Sequence, residues 1–333
     1  MKSRSLSSSL IPHPSSLATM PRRTPGKKLL KMLLPILGLL FLAVVITMGW
    51  LVFKITRPPS QPYLVTPETF TLLSERGLKA TNEEWTNRDG TKARGWLLRG
   101  AEGAPAVILL HRYGADRSWL LNLGVKLNET TNYTILWPDL RGHGVDPPVA
   151  WTSFGGREAD DVGAAIDYLR SLKVQDRPLV GNPIGIYGVE MGAYAALRAG
   201  TRDPKVRALV LDSIPASPND VLNSAVKERT GMDSGLFKWL ARGGIRIYFL
   251  GGYDNTPSCE AASQAGDRRV MLLAGDGPSE LRASTLALAQ CLPAGAQLND
   301  NLPLTGYNLP SATGEQGEAY DRRVIDFFDK ALR

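Results

Sequence analysis

The stretch Gly188-Val189-Glu190-Met191-Gly192 constrains the fold more than any other part of this chain. An apolar run, Ile184-Gly185-Ile186-Tyr187, leads into it with the composition of a buried strand, and an alanine-rich run, Ala193-Tyr194-Ala195-Ala196-Leu197, leaves it with that of a helix. A Cβ at either flanking glycine would collide with the neighbouring strand or helix, so the spacing marks a turn that holds one residue, Glu190, at its tip.

Other segments fall into order around this turn. Residues 84–98 alternate about Arg88-Asp89-Gly90, a hairpin signal. Short apolar runs at 106–110 and 133–137 suit a parallel sheet, and helical spacing appears at 119–127 and 160–172. Leu109-Leu110-His111-Arg112-Tyr113-Gly114 follows the first run, and Pro138-Asp139-Leu140-Arg141-Gly142-His143-Gly144 follows the second. Strands are expected again at 206–212 and 270–275, with a closing helix at 320–332. In this order the segments resemble the α/β-hydrolase superfamily, in its serine hydrolase or esterase-like branch, from about residue 80 onward. The resemblance implies a mostly parallel eight-stranded sheet with helices on both faces. It also implies an oxyanion hole built from the N–H groups of Tyr113 and Met191, with His111 and Arg112 at the pocket.

The same resemblance exposes what is missing. The superfamily places serine at the tip of the turn, then an acid, then a histidine. Glu190 occupies the serine position, and His13, His111 and His143, all the histidines of the chain, precede it. The loop that would carry the catalytic histidine reads Gly306-Tyr307, and a phenol with a reference pKa of ~10 is a poor base at neutral pH. The acid position falls on Pro278, with Asp276 displaced from it. No catalytic residue is therefore assigned; the candidate positions are Glu190, Asp276 or Pro278, and Tyr307.

Three readings of Glu190 stand: an anion favoured by the dipole of the following helix, an unconventional catalytic carboxylate, and a ligand-recognition group. Arg112, where the family has glycine, either plugs the old site by pairing with Glu190 or holds an anionic ligand. His111 and His143 read as loop braces, and no metal or cofactor is expected.

Residues 32–53 contain no charged side chain and are long enough to span a bilayer. Lys2, Arg4, Arg22, Arg23, Lys27, Lys28 and Lys31 lie on the N-terminal side with no acidic residue, which predicts a cytoplasmic N-terminus and an extracytoplasmic domain, as in a bacterial inner membrane facing the periplasm. A cleaved signal peptide is the rival, but the segment lacks a small-x-small cleavage site. The net charge of +7 is largely this flank, so no nucleic-acid surface is expected. Cys259 and Cys291 flank the 270–275 strand and form either a disulfide or two buried thiols.

The expected organisation is a disordered basic tail at 1–31, a signal anchor at 32–53, an extended linker and pre-domain segment at 54–77, and a hydrolase-like domain at 78–333. Residues 217–250 form either a small lid or a helical insertion packed on the sheet. Two functions follow: a catalytically inactive hydrolase relative that binds a small molecule or protein partner, or an ester or peptide hydrolase with Glu190 in a non-standard role.

Overall fold

An apolar run bounded by Lys31 and Lys54 makes most of the first element, the helix α1 (Pro25–Thr56). The computed structural model describes residues 25–71, 77, 79–293, 295–308 and 314–333; most of the expected basic tail lies outside the described residues. The chain divides into two compact units, Met1–Ile46 and Thr47–Arg333, with the division inside α1. Within the first unit most of the described apolar side chains, such as Met32, Leu34 and Phe41, are exposed, and Leu30–Thr56 is long and apolar enough to cross a membrane. In the second unit Leu51, Val52, Ile55 and Thr56 are buried.

Among the described residues, the second unit is built on ten strands. They are β1 (Thr81–Thr86), β2 (Lys92–Leu98), β3 (Ala104–Leu110), β4 (Thr134–Pro138), the two-residue pair β5 (Lys173–Val174) and β6 (Arg177–Pro178), β7 (Val180–Val189), β8 (Val206–Asp212), β9 (Arg269–Gly275) and β10 (Gln297–Leu302). Eight of them form one sheet in the order β1-β2-β4-β3-β7-β8-β9-β10. β1–β2 and β2–β4 pair antiparallel and the rest parallel. The central strands are apolar on both faces, as parallel strands covered by helices must be. β10, Gln-Leu-Asn-Asp-Asn-Leu, is the strand the apolar pattern does not disclose, because it forms the sheet's edge and its side chains are mostly exposed.

The helices after α1 are α2 (Pro67–Thr71), α3 (Leu121–Thr131), α4 (Gly156–Ser171), α5 (Met191–Arg202), α6 (Pro218–Thr230), α7 (Gly235–Tyr248), α8 (Ser258–Ala262), α9 (Ser279–Ala289) and α10 (Glu315–Leu332). α3 and α10 cover one face, where Leu123, Leu127, Val324 and Phe328 join Leu109, Trp137 and Tyr187 in the main core. α5 covers the other face, so close that a Cβ at Gly200 would stand 2.6 Å from Leu209 Cδ2.

One expectation changes. Residues 57–67 do not form a free spacer: Tyr63 donates to Asp139 Oδ2 at 2.8 Å and lies edge-on to Trp96 with ring centroids 5.1 Å apart, while Ser60 Oγ donates to the Gly144 carbonyl at 3.1 Å. Burial of an aromatic ring on the core outweighs the extended preference of a Pro-rich segment. The 217–250 insertion becomes α6 and α7, which bury Leu222 and Leu240 but leave Trp239, Ile247 and Tyr248 exposed.

Candidate active site

β7 ends at Val189, α5 begins at Met191, and Glu190 between them has φ 49 and ψ −110, a conformation a non-glycine residue adopts only when its surroundings impose it. The imposition comes from both glycines. A Cβ at Gly188 would meet the Gly192 carbonyl oxygen at 2.3 Å, and one at Gly192 would meet the Leu110 and His111 carbonyl oxygens at 2.5 and 2.6 Å. Backbone pairing completes the turn, with Glu190 N donating to the Asp212 carbonyl at 2.9 Å.

At the tip, Glu190 is 2% exposed and folds back onto the backbone. Its Oε2 accepts from Tyr113 N at 2.8 Å and lies 3.4 Å from Met191 N. These are the two N–H groups to which the sequence resemblance assigns an oxyanion hole. Burial pushes the Glu190 carboxyl up to about 7, against the opposing pull of the Arg112 charge and of the two N–H donors.

Arg112 does not pair directly with Glu190 among the described residues, which corrects the expected ion-pair plug. Its Nη1 donates to the Tyr113 carbonyl at 2.9 Å, and its guanidinium lies between two rings, 4.7 Å from Trp119 and 4.4 Å from Tyr307. Planar stacking on two aromatic faces suits an arginine that must stay partly desolvated. Tyr307 is tied in turn to α6, donating to Glu228 Oε1 at 2.9 Å, and burial raises its phenol further above the ordinary value. Arg112, Tyr307 and the Glu228 carboxylate of α6 are thus linked in one chain of contacts.

The acid candidates sit elsewhere. Asp276 is exposed, and its backbone carbonyl accepts from Thr305 Oγ1 at 2.9 Å; Pro278 is the residue from which α9 starts. The carboxylate that does meet the Gly306 loop is Asp212, which sequence reasoning left without a role. It is fully buried and its Oδ2 accepts from Gly306 N at 2.7 Å and from the Tyr320 hydroxyl, to which Tyr187 lies hydrogen-bonded at 2.6 Å. Burial raises its carboxyl to about 6, opposed by those donors. The signal was available: Asp212 is a charged residue ending an otherwise apolar strand, and it pairs in register with Val189 beside the turn.

His111 and His143 each bridge two backbone segments. His111 Nδ1 lies 2.8 Å from the Arg112 carbonyl and its Nε2 accepts from Leu140 N at 3.1 Å; His143 Nδ1 lies 2.9 Å from the Arg141 carbonyl and its Nε2 accepts from Gly114 N at 3.1 Å. Both nitrogens of each neutral ring are used, and burial lowers the rings to about 4 and about 3. Cys259 and Cys291 are joined in a disulfide, with Cα atoms 5.4 Å apart, linking α8 to the end of α9.

This topology, with a strained strand-turn-helix at the carboxyl edge of a mostly parallel eight-stranded sheet, is an α/β-hydrolase fold. The chain is similar to the Pyrococcus furiosus esterase Pf2001, with a TM-score of 0.62, 18% identity and coverage of 83% of this chain and 100% of that one. It is also similar to the α/β hydrolase GrgF from a Penicillium species (TM-score 0.58, 17% identity, 77% and 99% covered). A dienelactone hydrolase from Anabaena variabilis follows (TM-score 0.54, 15% identity, 77% and 99% covered). No protein-family model and no curated protein sequence matches the chain.

Proposed function

We propose that this chain is a membrane-anchored protein that keeps the hydrolase scaffold without serine-hydrolase catalysis and acts by binding a small molecule or protein partner. One observation carries the reading: the Glu190 carboxylate sits on the Tyr113 and Met191 N–H groups. A working hydrolase holds those donors open for the oxygen that becomes negative in the transition state. Here a side-chain oxygen occupies the place, and Arg112 and Tyr307 stack over the approach.

A second reading has its own support. A carboxyl at about 7 matches what a general base needs at neutral pH, and esterases are among the similar structures. It requires Glu190 to leave the cradle during each turnover. The purified full chain in detergent, treated with a fluorophosphonate probe and with short-chain p-nitrophenyl esters, separates the two. The inactive reading expects no labelling and no turnover above a Glu190→Gln control; turnover that disappears in Glu190→Gln overturns it.

Residues 32–53 act as a retained anchor with the N-terminus cytoplasmic. The cation asymmetry supports this orientation, and the Cys259–Cys291 disulfide suits an oxidising extracytoplasmic space. Protease added to intact spheroplasts should digest the domain; a domain protected until lysis reverses the topology.

A further inference from the structure

α7 is amphipathic in an unusual sense, because its outward face is apolar. Leu236, Trp239, Ile247 and, just beyond the helix, Leu250 are 62%, 64%, 67% and 92% exposed. At 100° per residue these positions fall on one stripe with Gly243 between them. Lys238, Arg242 and Arg246, each four residues from the next, form a basic column along one side of that stripe. The opposite face buries Leu240, Ala241, Gly244 and Ile245 in the domain. An exposed stripe of this kind marks a docking surface, and the cationic border narrows the partner to one that is apolar within and anionic at its rim.

The packing of α7 identifies that partner. Gly243 and Gly244 rest against the last turns of α1: a Cβ at Gly244 would stand 2.7 Å from Val52 Cγ2, and one at Gly243 would stand 3.5 Å from Met48 Cε. Met48 and Val52 lie near the C-terminal end of the 32–53 segment read above as membrane-spanning, so on that reading α7 packs beside the end of the anchor. Lys54 and Arg57 follow immediately in the chain, and Arg229 Nε donates to the Lys54 carbonyl at 3.4 Å, adding cations at the same level.

We propose that α7 lies in the bilayer interface beside the anchor, with Leu236, Trp239, Ile247 and Leu250 in the acyl boundary and its basic column on anionic headgroups. This rests on the anchor reading above. Tyr113, which supplies a donor to Glu190, also donates its hydroxyl to the Ile55 carbonyl at 2.8 Å, so docking turns the carboxyl edge of the sheet, with the altered site, toward the membrane.

Both native cysteines are in the disulfide, so an introduced cysteine is the one labelling site. The full chain carrying Trp239→Cys or Ile247→Cys, labelled with nitrobenzoxadiazole, is reconstituted in phosphatidylcholine–phosphatidylglycerol vesicles with and without doxyl-labelled lipid. Lys173→Cys, on the β5–β6 hairpin, is the reference. Both α7 labels should shift to the blue and be quenched by shallow doxyl lipid, while the Lys173→Cys label stays water-exposed. Labels that report water on a chain retained by the vesicles after alkaline washing overturn the docking and leave the anchor standing. Labels shielded from water yet unquenched by doxyl lipid put a protein on this face and also overturn it. A chain released by alkaline washing overturns the anchor and the docking together.

Discussion

The Glu190 carboxylate lies 2.8 Å from the backbone nitrogen of Tyr113 and 3.4 Å from that of Met191, so it joins the loop after β3 to the first residue of α5. On the reading proposed above, this one side chain fills both the nucleophile position and the oxyanion hole, which are separate parts in a serine hydrolase.

Removing that side chain is expected to empty the cradle without creating an enzyme. Glu190→Ser should hydrolyse p-nitrophenyl acetate no faster than the parent, because a serine hydroxyl without an adjacent base is a weak nucleophile. Adding Tyr307→His places an imidazole on the loop that Asp212 holds through Gly306 N. The double variant should exceed the single one by at most about 10²-fold, the low end of what a positioned general base contributes. Activity in Glu190→Ser alone would reveal another base.

Glu190 also has a pH signature. Its carboxyl stands at about 7 when folded against an ordinary 4.5, so between those values the folded chain holds a proton that the unfolded chain releases. The folded state binds more protons in that window, and this group's contribution to stability falls as pH rises through it. Glu190→Gln removes the titration while keeping an amide oxygen for Tyr113 N. Urea unfolding across the window should show the variant gaining on the parent as pH rises, by up to ~3 kcal/mol. His111 and His143, shifted down, drive stability the opposite way but are common to both chains and cancel. A constant difference between the chains would contradict the burial of an ionising Glu190.

Gly192→Ala tests the turn itself. Its Cβ would stand 2.5 Å from the Leu110 carbonyl oxygen, and neither strand nor helix can yield without disturbing the other. A loss of ~1–3 kcal/mol is expected from such overpacking. Unchanged thermal unfolding would mean the turn is looser than its contacts.

The disulfide closes a sequence separation of 32 residues, for which loop closure in the unfolded chain corresponds to about 3–4 kcal/mol. Cys259→Ser with Cys291→Ser should lower the midpoint of unfolding accordingly, and the oxidised parent should show no free thiol under denaturing, non-reducing conditions. Free thiols in the native preparation would refute the pairing.

Much of the fold was legible because parallel strands in a covered sheet must be apolar runs, and glycines in a tight turn must sit at fixed places. The segments at 206–212 and 270–275 needed no tertiary information to be read as strands. β10 did, since an edge strand carries polar side chains that look like a loop. The 57–67 segment reads as a spacer because proline disfavours regular structure, yet Tyr63 finds Trp96 and Asp139 only once the chain is folded.

The altered chemistry divides the same way. Residue types alone determined that no serine stands at the turn and no histidine follows it, because identity at a position needs no geometry. Only the tertiary structure decided where the replacements go. The Glu190 side chain turns back onto Tyr113 N rather than outward to Arg112, because β3 and β7 are neighbours and bring the two loops together. Arg112 goes instead between Trp119 and Tyr307, and Asp212 rather than Asp276 meets the loop at Gly306. Apart from Arg112 with Trp119, these contacts join residues far apart in the chain, and such pairings follow from the order of strands in the sheet, which local sequence does not encode.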